Sequence, residues 1–148
     1  MARLPPEVLS YIYPSRYCQS DRLGPLVMAE FGNLPQGYAR VVAIQDWVRR
    51  RVRFESNTTN SNTSALDTLN DGRGVCRDFA HLMIACLRSL GLPARYISGY
   101  LKSSETTIGA EASHAWVSAY CPIFGWWDFD PTNNARPNAD HIAWPVTR

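Results

Sequence analysis

The chain has 148 residues, of which 45% are hydrophobic and 19% charged, with a formal net charge of +2. That length can bury one core, and the composition is too apolar for a disordered chain. Its near-neutral balance gives no reason to expect a nucleic acid as partner.

The first residues, MARLPPEVLSYIYPSRYC, carry two early prolines and no uninterrupted apolar stretch. Neither a signal peptide nor a membrane span is predicted, and the cytoplasm is the expected location. Through about Pro35 the chain reads as turns and short helices. From Gly37 to Val52, the residues Val41, Ile44, Trp47 and Val48 recur at three- and four-residue steps, the period of an amphipathic helix. Its basic end, Arg49, Arg50, Arg51 and Arg53, suits the helix dipole and reads as a solvated helix end. Ser56 to Ser64 is a polar surface loop; Asn57-Thr58-Thr59 fits a glycosylation acceptor pattern, but nothing else points to secretion. A short helix is expected over Ala65 to Asn70, then a tight turn at Asp71-Gly72-Arg73-Gly74.

A strong helix follows from about Val75 to Leu90, with a polar strip at Arg77, His81 and Arg88. Gly91 stands at the left-handed cap position and Pro93 just beyond. After Pro93 the period changes to two. Ala94 to Leu101, Ala112 to Cys121 and Trp126 to Asp130 read as strands, joined by a polar hairpin loop (Lys102 to Glu111) and a turn (Pro122 to Gly125). The expected class is α+β, with helices first and then an antiparallel sheet of at least three strands packed on the central helix.

Four cysteines, Cys18, Cys76, Cys86 and Cys121, form no C-x-x-C pair, which argues against a zinc ribbon or a disulfide-stapled fold. Cys86 and Cys121 read as core. Cys76 differs, because it falls in the first turn of the strong helix, where free N–H groups and the dipole favour a thiolate. Gly72 and Gly74 just upstream are expected to let the chain turn and a substrate approach the sulfur. His114 opens the second strand, on the face shared by Trp116, Ser118 and Tyr120. Folding that strand against the third brings Asp130 close to opposite His114, whereas Asp128 falls nearer Ser118. Alternation does not separate the two aspartates, and register favours Asp130. Cysteine, histidine and aspartate then form a nucleophile–base–orienter set. Cys76, His81 and Cys86 are spaced by five, which does not put three ligands on one helix face, so no metal is expected. His81 reads as a polar helix residue near the cleft, hydrogen-bonded to backbone. Arg77 and Asp78 are expected to form a local ion pair of little energy. Cys18 and His141 receive no role.

The runs Gly74-Val75-Cys76-Arg77-Asp78-Phe79-Ala80-His81-Leu82 and Gly91 to Tyr100 resemble the bacterial transglutaminase-like domain family. So do Ser113-His114-Ala115-Trp116 and Asp128-Phe129-Asp130-Pro131-Thr132-Asn133, along with Tyr13 to Tyr17 and the helix Ile44 to Val52. The resemblance implies a papain-like (cysteine proteinase) fold over a single domain, 1–148, with no cofactor. It places the family's nucleophile on Cys76, its histidine on His114 and its acid on Asp130. Its members often carry a β-rich region before the core and further strands after the Asp140-His141-Ile142 motif. Here the chain reads as cut short, and an open sheet edge would favour a homodimer. The expected activity is acyl transfer to or hydrolysis of a peptide or protein amide through a thioester, with no nucleic-acid or membrane partner. Water is favoured over an amine as acceptor, though the residues leave both open. The Cys76 N–H is expected to stabilise the oxyanion with one more donor, Asn70 or Ser64. The alternative is a non-catalytic peptide-binding domain of the same fold.

Overall fold

The helix and strand periods become a helical half followed by a sheet. A computed structural model describes residues 4–35, 37–57, 59–101, 113–121, 125–137 and 141–143. Two 3-10 helices, Pro6–Tyr11 and Ser20–Arg22, precede α1 (Gly24–Phe31) and α2 (Tyr38–Arg51). Then come β1 (Arg53–Phe54), α3 (Ala65–Asp71), β2 (Arg73–Gly74) and α4 (Cys76–Ser89). The second half is β3 (Ala94–Leu101), β4 (Ser113–Cys121), β5 (Gly125–Phe129) and β6 (His141–Ala143). These four strands form one antiparallel sheet in the order β5-β4-β3-β6. The expected loop over Lys102 to Glu111, residues 122–124 of the expected turn, Thr58 and Asp140 lie outside the described residues.

Local chemistry explains the elements around α4. Ser64 caps α3: its Oγ accepts from Asp67 N at 3.3 Å while Asp67 Oδ2 accepts from Ser64 N at 2.9 Å. Such a cap is worth about 1 kcal/mol. Gly72 then ends α3 in the left-handed region at φ +68°, and its N–H donates to Thr68 O at 2.8 Å. The expected tight turn therefore stops at Gly72. Arg73 and Gly74 leave it as β2, pairing in parallel with Arg53 and Phe54 of β1. That short ladder ties the end of α2 to the start of α4.

α4 is the centre of the molecule. Every residue from Asp78 to Leu87 is buried, with α2 and α3 among its neighbours on one side and β3 and β4 on the other. A helix enclosed this way has no solvent strip, so His81 of the expected polar strip lies inside. Phe79, Leu82, Met83 and Cys86 join Val41, Ile44 and Val48 of α2 and Ala115, Val117 and Phe129 of the sheet in one core. The alternate residues of β4, His114, Trp116 and Ser118, are also buried. Of these, His114 and Trp116 reach the carboxylates of Asp130 and Asp128. Among the described residues, no helix is long and apolar enough to cross a membrane.

Candidate active site

Cys76 is the first residue of α4, and its position is set by Asp78. The Asp78 carboxylate is fully buried and accepts from Val75 N at 2.8 Å and Thr59 Oγ1 at 2.7 Å. It folds back over Gly74, where a Cβ would stand 2.7 Å from both its Cβ and its Oδ2. Gly74 thus makes room for the helix-entry carboxylate, which gives a packing reason for a glycine there. Intrahelical bonding starts at Asp78 N and Phe79 N, both donating to Val75 O at 2.9 and 3.1 Å. The earlier N–H groups, those of Cys76 and Arg77, have no backbone acceptor among the described residues, as expected at a helix start. Cys76 is partly exposed, whereas Cys18, Cys86 and Cys121 are buried, and none of the four is in a disulfide. Burial pushes the Cys18 and Cys121 thiols up, and that of Cys86 to about 12.

His114 Nε2 lies 2.8 Å from Asp130 Oδ2, with both side chains fully buried. The route to this contact differs from the one expected. β4 and β5 pair Ser118 with Asp128 and Val117 with Phe129, so direct opposition would set Trp116, not His114, across from position 130. The contact is instead diagonal, two residues along, which is still within side-chain reach. The same diagonal step brings Trp116 Nε1 to Asp128 Oδ2 at 3.2 Å. Asp130 itself has left the ladder and closes a bridge with Ala135 through bonds of 2.8 and 3.1 Å.

The Asp130 carboxylate is held from all sides. Oδ1 accepts from the backbone N–H of Thr132 at 3.1 Å and of Asn133 at 3.3 Å. Oδ2 accepts from Asn133 Nδ2 at 2.9 Å and from a second imidazole, His141 Nε2, at 3.0 Å, besides His114. Burial by itself would raise this carboxyl. The bonds from His114 and His141, the charge of His114 and the Asn133 amide outweigh it and hold the carboxyl well below the usual range. Burial would likewise lower His114, but the bond to Asp130, the approach of the Cys76 thiol and the charge of both raise it, to about 9.

These facts fix the tautomer. An ionised carboxylate only accepts, so Nε2 of His114 carries the proton and Nδ1 is the free nitrogen in the neutral ring. Nδ1 is buried with no hydrogen-bond partner among the described residues. It is the nitrogen of this ring that the carboxylate leaves unused.

A family model described as the Transglutaminase-like superfamily matches residues 27–131. The chain belongs to that superfamily. The matched span takes in Cys76, His114 and Asp130 and ends before His141. A candidate cysteine protease from Cytophaga hutchinsonii, known from its crystal structure, is 41% identical with a TM-score of 0.85, covering 95% of this chain and 46% of that one. An uncharacterized protein of Mycobacterium leprae is 41% identical over 112 residues, 73% of this chain and 39% of the relative. The periplasmic domain of TgpA from Pseudomonas aeruginosa, at 23% identity and a TM-score of 0.68, shares the fold over 88% of this chain and 50% of that one. The chain therefore spans less than half the length of the first two. The fold of this superfamily member is papain-like α+β, as the resemblance implied.

Several expectations need correction in this transglutaminase-like frame. His81 is not hydrogen-bonded to backbone through Nδ1, which is buried without a partner among the described residues. Its ring is stacked on Tyr17 (centroids 5.2 Å apart, planes 6° apart) and tilted on Tyr96 at 5.2 Å. Burial, then Arg77 and Arg88, lower its pKa to about 4, so the ring is neutral. Asp78 does approach Arg77, at 3.9 Å, but its main work is the buried helix entry. Ser64 Oγ also reaches Asp67 Oδ2, at 3.1 Å, and is engaged as a cap; Asn70 is exposed on α3. His141 is the polar group that sequence reasoning missed. Its signals were proximity in the chain to Asp130 and the Asp140-His141-Ile142 motif, neither of which shows that β6 returns beside β3.

Proposed function

We propose that this chain is a transglutaminase-like cysteine enzyme that transfers acyl groups through a thioester on Cys76. The observation that carries the reading is the state of His114: Nε2 tied to a buried carboxylate, Nδ1 unpartnered among the described residues, and a pKa that Asp130 and then Cys76 raise. An imidazole that holds a proton to about 9 is a suitable partner for a thiolate at neutral pH. Cys76 Sγ attacks the carbonyl carbon of a carboxamide or peptide bond. The free N–H groups at the start of α4 face the developing oxyanion. The C–N bond breaks as His114 gives its proton to the leaving amine. Water or a second amine then attacks the thioester, His114 takes its proton, the C–S bond breaks, and the thiolate returns. Asp130 keeps the ring in one tautomer and stabilises the imidazolium.

Hydrolysis is the proposed outcome, since Cys76 is partly exposed and water reaches it. A reducing compartment, the cytosol, is the proposed location, because all four thiols are unpaired. The test is alkylation with iodoacetamide followed by turnover of peptide and glutamine-amide libraries. The expected result is one label, on Cys76, with turnover abolished in Cys76→Ala and in His114→Ala. If Cys76 reacts no faster than an ordinary exposed thiol and no substrate turns over, the enzyme reading falls and a binding domain of the same fold takes its place.

A further inference from the structure

A cavity of about 470 Å³ lies along one face of α4, with Ser15, Tyr17, Arg77, His81, Arg88 and Tyr96 in its wall. Cys76 is not itself in that wall, but two residues that are in it relate the cavity to the thiol. Arg77 is the residue after Cys76, and Tyr96, whose phenol is raised first by burial, is raised further by the charge of Cys76. The wall has three parts. Tyr17, the neutral His81 ring and Tyr96 make a continuous aromatic stack. Arg88 is a fixed cation. Its Nε and Nη2 donate to Ala94 O at 3.1 and 2.8 Å, and Nη1 to Tyr13 O and Ser15 Oγ, each at 3.3 Å. All of these acceptors are neutral, and among the described residues Arg88 has no ion pair. Arg77 is the adaptable cation. It donates one bond, to Asn60 O at 3.0 Å, and its contact with Asp78 is a long 3.9 Å. No carboxylate lines the cavity among the described residues.

A half-buried positive charge without a counter-ion, an arginine with donors to spare and an aromatic face suit a carboxylate on a short apolar stem. We propose that this cavity is a carboxylate subsite for the acyl donor, where an acidic group pairs with Arg77 in the field of Arg88 and its stem lies against the Tyr17–His81–Tyr96 stack. The inference rests on the acyl-transfer reading for its substrate, but its test does not need turnover. The carboxylate belongs either to an acidic side chain next to the reacting residue or to a peptide C-terminus. Both present the same planar anion.

The experiment uses Cys76→Ala protein and three peptides. One is blocked at both ends and has a glutamate beside a glutamine; the second replaces that glutamate by glutamine; the third is the second with a free C-terminal carboxylate. Binding is followed by calorimetry and by the ring C–H signals of His81. The expected result is at least about tenfold tighter binding of a carboxylate peptide than of the neutral one, as for a charge-assisted pair. A bound anion also offsets the field of the two arginines, so the His81 titration midpoint rises on binding. Arg77→Gln removes the preference. Preference for the glutamate peptide assigns the subsite to a side chain, and preference for the third assigns it to a C-terminus. Equal binding of all three, no binding at all, or a preference that survives Arg77→Gln overturns the subsite. Turnover without carboxylate preference removes the subsite alone, and carboxylate binding in a chain without turnover removes the enzyme reading alone.

Discussion

Asp130→Asn tests the arrangement most directly, because the structure dictates how the amide must sit. Its oxygen would take the Oδ1 position, where two backbone N–H groups of the Thr132–Asn133 turn donate. Its NH2 would then face the N–H groups of His114 and His141, donor against donor. The turn is kept and the imidazole loses a charged acceptor at 2.8 Å. A hydrogen bond to a charged group is worth about 1.5–3 kcal/mol, which corresponds to about one to two pKa units. The sign follows from the raised His114. In the wild type its proton is held to about 9, and without the carboxylate it is released at lower pH. Titration of the His114 ring by NMR should therefore show a midpoint about one to two units lower. The rate of Cys76 alkylation near pH 8 should fall about two- to tenfold, since fewer molecules hold the imidazolium that stabilises the thiolate. Asp128→Asn is the control: its side-chain oxygen still accepts from Trp116 Nε1, and the rate should stay within about twofold. An unmoved His114 midpoint in Asp130→Asn, with a folded protein and wild-type alkylation, refutes the reasoning.

Three further outcomes follow from the same contacts. Gly74→Ala should cost about 1–3 kcal/mol by calorimetry, because a Cβ 2.7 Å from Asp78 forces the helix entry to shift. His141→Phe keeps a ring against Trp116, which it meets edge-on at 5.2 Å, but removes one donor to Asp130. Asp130 then leans more on its remaining donors, so His114 should titrate higher, not lower, and alkylation should persist. His114 also contributes to stability in a pH-dependent way. With its folded pKa raised above 6.5, that contribution is complete below pH 6.5 and is lost as pH rises through about 9. Thermal unfolding of the wild type should show this loss over that window, and His114→Gln should not.

The sequence pattern was a good guide to elements whose periodicity is local. The strand over Ala94–Leu101 and the helix ends at Arg51 and Ser89 fall where hydrophobic spacing and the Gly91 cap put them. It was a weaker guide to contacts that depend on twist and on returning chain. Alternation placed Asp128 and Asp130 on one face, but the diagonal reach that brings His114 to Asp130 comes from side-chain lean across a twisted pair. The turn at Gly72 was legible, whereas the parallel pairing of Arg73–Gly74 with Arg53–Phe54 was not, since two-residue strands have no period. His81 misled for a related reason. A polar residue on a helix reads as facing water unless two aromatic partners, here Tyr17 and Tyr96, are known to enclose it.

The buried carboxylate explains why the arrangement spans the whole sheet. Two of its donors, the backbone N–H groups of Thr132 and Asn133, are local to the turn that follows β5 and ends at the Ala135 bridge. The other imidazoles come from further away. His114 is on β4, beside β5, and His141 is on β6, which reaches the site only by pairing with β3 on the far side of β4. Asp130 thus binds together strands at both edges of the sheet. With both imidazoles present its charge is offset, and that satisfied charge is what holds the His114 ring in one orientation. Removing one of its local donors instead should leave the ring largely in place while both histidines remain. Asn133→Ala deletes the side-chain bond to Oδ2 while leaving the backbone bond to Oδ1. It should lower the alkylation rate of Cys76 by less than Asp130→Asn does, and an effect as large as that of Asp130→Asn would show that the local turn, rather than the pair of imidazoles, governs the carboxylate.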